Sequence, residues 1–221
     1  MTAAILSHII AILVVYNSNR AYLGVNCFRL SPGPGNGSAY AHHSRVLYSA
    51  SEDTRTACRH RVGLGYDLHR LVGPGNGGKI FKLGGVFVEN SNVFVLGHSD
   101  GDAVLHAVAD AVLGAVGRGD IGEHFSDLDS THEDLDSRAI LEFALAEASR
   151  LGYRPCSVDL NIILQRPRLG RELKRRICES VGSLLGSGVC VNVKAKTNEG
   201  LDALGRGEAI ACQSVALLEH V

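Results

Sequence analysis

Three features that the sequence has little of limit what the protein can be. Its net charge is only -1, from 22 Lys and Arg against 23 Asp and Glu, so there is no basic excess of the kind that binds nucleic acid. It has no closely spaced pairs of cysteines. This spacing disfavours a disulfide framework and a Cys-type zinc site, and it is typical of reduced, mostly buried thiols. The six cysteines stand at positions 27, 58, 156, 178, 190 and 212.

Long hydrophobic runs are also scarce. The apolar run at residues 3–15 contains 13 positions, interrupted by Ser7 and His8, and is too short to cross a bilayer comfortably. It resembles the hydrophobic part of a signal sequence, although no Lys or Arg precedes it. The following stretch to residue 51 is rich in Ser and has no acidic residue but three arginines, Arg20, Arg29 and Arg45.

This composition is typical of a transit peptide. We therefore predict a leader at residues 1–58, disordered or removed, and a folded domain at residues 59–221. A signal followed by a transit-like stretch indicates import into a plastid bounded by extra membranes, with no stable membrane association of the mature domain. Entry into another organelle or the secretory route, or a disordered extension with one membrane anchor, are the alternatives.

A row of polar residues marks one apolar segment. Residues 102–114 are apolar except for Asp102, His106 and Asp110, and residues four apart lie on one face of a helix. Burying two carboxylates and an imidazole among Ala, Val and Leu costs a free energy of about several kcal/mol for each group unless it is paired. A bound metal or a cluster of donors around a substrate would provide that pairing.

A second polar pair, Asp67 and His69, lies in an alternating segment typical of a strand, where residues two apart share a face. With His106 they make a two-His, one-carboxylate set, which suits zinc at about 2.0–2.2 Å with a fourth position open for a substrate oxygen. Asp110 could accept the second ring proton of His106 and fix its tautomer. For the Asp-x-His pair alone, a solvated edge strand is the alternative.

The segment before this helix, residues 98–102, has two interpretations. Ser99 or Asp100 can cap the helix, and carboxylates suit its positive end. Capping does not account for His98, which could be a fourth metal ligand or a phosphate partner at the start of the helix.

Residues 73–79 match a phosphate-binding P-loop except at the last position, where Ile80 cannot supply the magnesium-binding hydroxyl. No helix pattern follows, so we predict a hairpin loop. Residues 166–176 are basic, but their Leu and Ile recur at helical spacing, which indicates a solvated helix face.

The order of elements predicts the fold class. We expect one α/β domain, an α+β sandwich with a mixed sheet and helices on one face. The predicted strands are 60–70, which pairs with 80–88, and 156–165, 189–196 and 208–219; the predicted helices are 102–116, 137–151 and 170–185.

Eight short motifs occur in a fixed order after residue 59. The chain from there to Val221 resembles the 2-C-methyl-D-erythritol 2,4-cyclodiphosphate synthases of the non-mevalonate isoprenoid pathway. The motifs are Gly65-Tyr-Asp-Leu-His69, His98-Ser-Asp-Gly-Asp102, His106, Gly119-Asp-Ile-Gly122, Phe125-Ser-Asp-Leu-Asp129, Asp136-Ser-Arg138, Lys194-Ala-Lys-Thr197 and Gly205-Arg-Gly-Glu208.

The resemblance implies a metal-dependent phosphorus–oxygen lyase. It would convert 4-diphosphocytidyl-2-C-methyl-D-erythritol 2-phosphate into the cyclic diphosphate and release CMP. The resemblance also implies a homotrimer whose sheets face the three-fold axis and whose active sites lie at subunit interfaces.

The resemblance assigns roles to individual residues. Zn2+ would be held by Asp67, His69 and His106, and Mg2+ or Mn2+ by Glu199 at the diphosphate. His98 and Thr197 would stabilise the transition state. Substrate contacts would come from Asp67, Leu68, His69, His98, Ser99, Asp120, Ile121, Gly122, Phe125, Asp127, Asp129, Gln165, Arg168, Lys196, Thr197, Asn198, Glu199 and Arg206.

One departure from the family pattern concerns the trimer axis. Ala203 stands where bacterial members often have an aromatic residue, which leaves contacts near it and any apolar channel on the axis open. Two other functions fit the residues: a zinc phosphohydrolase with water in the open metal position, and a nucleotide-binding trimer without activity. The intact Asp67, His69, His106 and Glu199 argue against the latter.

Overall fold

The computed structural model describes residues 58–89, 91–97, 99–126 and 134–221. The predicted leader therefore lies outside the described residues, apart from Cys58. The strands are β1 His60–Val72, β2 Lys79–Ile80, β3 Lys82–Leu83, β4 Val86–Phe87, β5 Phe94–Leu96, β6 Tyr153–Ile163, β7 Cys190–Lys196 and β8 Ala209–His220. The helices are α1 Ala103–Val116, α2 Ile121–His124, α3 Ser137–Arg150, α4 Arg171–Leu185 and α5 Asp202–Gly205.

A mixed sheet forms the centre of the described domain, as the sequence predicted. Its strand order is β2-β5-β1-β8-β6-β7, with β8 antiparallel to both β1 and β6 and β7 parallel to β6. Helix α1 packs on β1 and β8, and α4 packs on β7. The opposite face of β1 and β8 carries exposed apolar side chains, namely Val62, Leu64, Tyr66, Leu68 and Val215.

The predicted strand 80–88 is wrong, because it is divided into three short strands. Gly84 and Gly85 both adopt positive φ, +61° and +78°, a conformation that glycine reaches without steric cost. The chain reverses there, so that Lys82 pairs with Phe87 in a separate two-stranded sheet. Strand β1 pairs with β5 instead, so the predicted hairpin between residues 60–70 and 80–88 is also wrong.

Helix α1 approaches β1 so closely that only glycine fits between them. A Cβ atom on Gly63 would lie 1.8 Å from the carbonyl oxygen of Ala111, and one on Gly65 would lie 1.9 Å from that of Ala107. The helix also ends as predicted, at Gly117 in the left-handed conformation. This backbone-to-backbone packing brings the middle of α1 against the strand that carries Asp67 and His69.

The described cysteines are free, as expected, but they are not mostly buried. Cys212 is buried, whereas Cys58 and Cys190 are exposed and Cys156 and Cys178 are partly exposed. Cys190 begins the edge strand β7, whose alternate residues point to solvent. Among the described residues, no helix is long and apolar enough to span a membrane.

Candidate metal centre and substrate cavities

Three side chains from two elements converge on one point. Asp67 and His69 project from β1 towards α1, where His106 is 5% exposed. The Asp67 Oδ2 atom lies 3.0 Å from His69 Nε2 and 3.0 Å from His106 Nδ1, and the two nitrogens are 3.1 Å apart. The predicted strand-and-helix set is therefore assembled.

This triangle has the dimensions of a metal site. Ligand atoms at about 2.0–2.2 Å from a tetrahedral zinc ion are separated by about 3.3–3.6 Å, slightly more than the distances observed here. Lone pairs so close together repel one another unless a proton or a cation lies among them. Asp67, His69 and His106 could thus hold a metal ion, as the sequence predicted.

The electrostatics of the group agree with this interpretation. Burial raises the pKa of Asp67, but hydrogen bonds and charges from His106 and His69 outweigh it and hold the pKa well below its usual range. Burial lowers the pKa of His106, but Asp67, together with the charges of Asp102 and Asp100, raises it by more. Without a metal, the group favours a proton between carboxylate and imidazole, so metal binding should release protons.

Asp110 does not play the part that the sequence predicted for it. The second ring nitrogen of His106, Nε2, lies 2.8 Å from Ser137 Oγ and 3.1 Å from Ser99 Oγ. Asp110 Oδ1 instead accepts a 2.8 Å hydrogen bond from the backbone N–H of Ile121. The expectation is wrong because α3 begins beside His106, while Asp110 holds the start of α2.

Asp102 is the N-cap of α1, a role that we had expected of Ser99 or Asp100. Its side chain is fully buried and accepts hydrogen bonds from the N–H groups of Val104 and Leu105 at 3.1 Å. It also accepts from Gly84 at 2.8 Å and Gly85 at 2.6 Å. Burial raises the pKa of Asp102, and the backbone donors offset this only in part. The polar row therefore divides into one residue of the candidate metal site and two structural residues.

The metal-facing group opens into a cavity of about 390 Å³. Its walls include five residues that the sequence assigned to substrate binding besides Asp67 and His69: Leu68, Ser99, Ile121, Gly122 and Phe125. The sequence had not assigned Gly97, Leu135 or Ile140 to the site, although they line it as well. Apolar side chains give no sign in the sequence of whether they face a core or a cavity.

Of four other predicted substrate contacts, one does not line this cavity and three lie outside the described residues. Asp120 is the N-cap of α2, where its side chain accepts from the N–H of Glu123 at 3.0 Å. His98, Asp127 and Asp129 lie outside the described residues.

A second cavity, of about 310 Å³, lies where β6 and β7 end. Four of the predicted residues line it together with Leu164, Leu169 and Ala195: Arg168, Lys196, Thr197 and Glu199. The Thr197 hydroxyl donates to Glu199 Oε1 at 3.4 Å. Among the described residues, none lines both cavities. The predicted ligands of the first cation therefore line one cavity, and the predicted ligand of the second cation lines the other.

Three further predicted residues do not line this second cavity, although Gln165 and Asn198 are next to lining residues in the sequence. Gln165 Oε1 is buried and has no hydrogen-bond partner among the described residues. Asn198 donates to Asp202 at 2.9 Å. Arg206 pairs with Glu208, with Nε and Nη2 at 2.8 and 3.0 Å from its two carboxylate oxygens.

Comparison with known proteins agrees with this geometry. Residues 60–219 match the YgbB family, so the chain belongs to that family. It is 48% identical over 161 residues to the 2-C-methyl-D-erythritol 2,4-cyclodiphosphate synthase of Dechloromonas aromatica, an alignment that covers 73% of this chain and 98% of the relative.

Solved structures show the same fold. The chain matches IspF from Plasmodium falciparum, solved as a CDP complex, with a TM-score of 0.62 and 33% identity, covering 73% of this chain and 96% of that one. It matches the bifunctional IspDF from Campylobacter jejuni with a TM-score of 0.67 and 30% identity, covering 73% of this chain and 42% of that longer one.

Proposed function

We propose that this protein converts 4-diphosphocytidyl-2-C-methyl-D-erythritol 2-phosphate into 2-C-methyl-D-erythritol 2,4-cyclodiphosphate and CMP, a step of isoprenoid precursor biosynthesis. The observation that carries the proposal is the convergence of Asp67, His69 and His106 within 3.0–3.1 Å inside a cavity. It occurs in a chain of the YgbB family, whose relatives carry that synthase name.

The reaction is a ring closure at phosphorus, and it classes the enzyme as a phosphorus–oxygen lyase. An oxygen of the 2-phosphate forms a bond to the β-phosphorus of the diphosphate. The bond from that phosphorus to the bridging oxygen breaks, and CMP leaves with the electron pair. Such transfers need alignment and charge neutralisation more than a protein nucleophile.

The ligand set favours Zn2+ at the first site. Two imidazoles and one carboxylate are typical of a zinc site whose fourth position stays open. Bound there, zinc would act as a Lewis acid on a phosphate oxygen. Asp67, His69 and His106 would hold it, while Ile121 and Phe125 would exclude water from the carbon skeleton of the substrate.

The second cavity suits the nucleotide end of the substrate. The positive charges of Arg168 and Lys196 would attract the diphosphate, and the Thr197 hydroxyl would stabilise charge on it in the transition state. Glu199 would bind Mg2+ or Mn2+, which prefer oxygen ligands, and Gln165 and Asn198 would contact the cytidine side.

The remaining predicted contacts complete the proposed site. His98 would act with Thr197 on the phosphates, and Asp120, Asp127 and Asp129 would bind substrate hydroxyls, because carboxylates repel phosphate. Ser99, Gly122 and Arg206 would add further contacts.

We also propose that three copies form a homotrimer whose sheets face the three-fold axis. The support is the apolar face of β1 and β8, where Leu64 is 70% exposed and Val62 65% exposed. Exposed apolar patches of this kind mark interaction surfaces. In the trimer, the first cavity of one copy and the second cavity of its neighbour together would make one active site.

Incubating the purified chain with the substrate, zinc and magnesium tests this function. The proposal expects the cyclic diphosphate and CMP in equal amounts. Release of a linear phosphate instead would indicate a zinc phosphohydrolase, and tight CMP binding without turnover would indicate a nucleotide-binding trimer. Either of those results would overturn the proposal.

Residues 1–58 are proposed as a plastid leader, on the basis of their composition. Fused to a fluorescent protein, they should direct it to the plastid. Retention in another organelle or in the secretory route would contradict this assignment.

A further inference from the structure

A chain of polar side chains leads away from the metal group behind His106. It runs from His106 through Ser137 and Asp100 to Lys82, and so connects α1, the start of α3, the loop before α1 and β3. The proposed function gives Ser137, Asp100 and Lys82 no task.

Each contact in this chain is short. Ser137 is fully buried, and its Oγ lies 2.8 Å from His106 Nε2. The Ser137 hydroxyl donates to Asp100 Oδ1. The other oxygen of Asp100 lies 2.5 Å from Lys82 Nζ.

The charges set the direction of these hydrogen bonds. Asp100 is paired with the Lys82 ammonium, so it is an ionised carboxylate and can only accept. The Ser137 hydroxyl therefore donates its single proton to Asp100, and it can only accept a hydrogen bond from His106. Consequently His106 must carry a proton on Nε2, and its neutral, metal-binding form has the lone pair on Nδ1, directed at Asp67 and His69.

We propose that Lys82, Asp100 and Ser137 form a positioning relay that fixes the tautomer and orientation of His106 and so raises the affinity of the metal site. This inference rests on the proposed function, since it assumes that His106 binds a metal. The three residues act through His106 and do not touch the substrate.

Ser99 is the competing partner of His106 Nε2. Its Oγ is farther away, at 3.1 Å, and already accepts from the N–H of Gly101 at 3.2 Å. A neutral hydroxyl without a charged group behind it polarises the imidazole less than one bonded to a carboxylate. The relay, rather than Ser99, therefore accounts for most of the orientation.

Zinc affinity measured by competition with a chromophoric chelator, on the full chain without substrate, tests the relay. Ser137→Ala and Asp100→Asn should each weaken zinc binding about 10–100-fold, as losses of such outer partners do. Lys82→Met should weaken it by less, because Asp100 can still accept from Ser137. The matched control is Ser214→Ala, which removes another fully buried hydroxyl that has no partner among the described residues and should leave zinc affinity unchanged.

A double variant separates a relay from general damage to the fold. If Ser137 and Asp100 act as one unit, Ser137→Ala combined with Asp100→Asn should lose no more affinity than the weaker-binding single variant. Cobalt substituted for zinc should show altered visible absorption bands in Ser137→Ala but not in Ser214→Ala.

Each result has a definite meaning. The relay would be overturned if Ser137→Ala and Asp100→Asn both bind zinc within twofold of the parent chain. It would also be overturned if their losses of zinc affinity add fully in the double variant. Either result would leave the proposed function intact. If Ser137→Ala does not fold by circular dichroism, the isosteric Asp100→Asn variant gives the decision alone. A parent chain that binds no zinc would overturn both proposals.

Discussion

At the scale of single residues, Asp102 holds together two segments that are 17 or 18 residues apart in sequence. Its fully buried carboxylate caps α1 and accepts from both glycines of the β3–β4 turn. All these donors are backbone N–H groups, which bind a carboxylate strongly in a buried site. Asp102 therefore fixes where α1 starts and, with it, the position of His106 along the helix axis.

Replacing this residue tests the role. Asp102→Asn puts an amide N–H2 group where an oxygen accepts from backbone N–H, so at least one buried donor loses its partner. The free energy of unfolding should fall by about 1–3 kcal/mol, measured by urea denaturation. Asp136→Asn is the control, because Asp136 caps α3 with a single bond to the N–H of Arg138 and Asn is an equally good cap.

A fall in the free energy of unfolding no larger than that of Asp136→Asn would contradict this role of Asp102.

The sequence predicted that Asp102, His106 and Asp110 share a face, because helical spacing fixes which residues lie in one row. It could not predict their partners. These come from the β3–β4 turn, α2 and α3, and spacing within one helix carries no information about the segments that pack on it.

At the scale of elements, the close contact between β1 and α1 brings the three candidate metal ligands together. Gly63 and Gly65 allow the helix backbone to approach the strand, where the carbonyl oxygens of Ala111 and Ala107 face them. Close-packed backbones shift little, so the position of His106 relative to Asp67 is well determined.

Gly65→Ala should disturb both the fold and the metal site. The new methyl group would lie 1.9 Å from the carbonyl oxygen of Ala107, so α1 must move away from β1. Overpacking of this kind costs about 1–3 kcal/mol or more, and zinc affinity should fall along with the melting temperature.

Gly73→Ala is the matched control for this prediction. The nearest atom to a Cβ there is Asn76 Nδ2 at 3.9 Å, so stability and zinc affinity should stay close to those of the parent chain. Unchanged zinc affinity in Gly65→Ala would show that the contact between β1 and α1 does not position the ligands.

The longer elements could be predicted from sequence and the short ones could not. Helices α1, α3 and α4 and strands β1, β6, β7 and β8 have clear periodicity, and each begins and ends within a few residues of its prediction. Strand β5 has three residues and α5 has four, too few for a period to show. Their existence depends on neighbouring strands and turns rather than on local pattern.

At the scale of the whole molecule, the two cavities hold complementary halves of the proposed site. The first carries the candidate metal ligands and apolar walls, and the second carries Arg168, Lys196, Thr197 and Glu199. The order of the motifs in the sequence identified most of these residues through the family resemblance. Their division between two separate cavities follows only from the fold.

Disrupting the apolar sheet face should separate metal binding from turnover. Leu64→Asp places a charge in the proposed trimer interface, where burying it without a partner is costly. Analytical ultracentrifugation should show a monomer in place of a trimer. Cyclisation should be lost while zinc binding remains, because one chain supplies all three ligands.

The control is Ile80→Asp, since Ile80 is also exposed, at 64%, but lies on β2 at the edge of the sheet rather than on the face formed by β1 and β8. It should stay trimeric and active. An active monomer of Leu64→Asp would refute the shared active site.

The central claim is that the metal held through His106 is needed for cyclisation. Its most direct test compares the metal content and the cyclisation activity of the parent chain with those of His106→Ala. The parent should retain about one zinc ion per chain and form the cyclic diphosphate. His106→Ala, folded by circular dichroism, should lose both the zinc and the activity. Full turnover by a parent chain stripped of metal, or undiminished zinc in His106→Ala, would contradict the account.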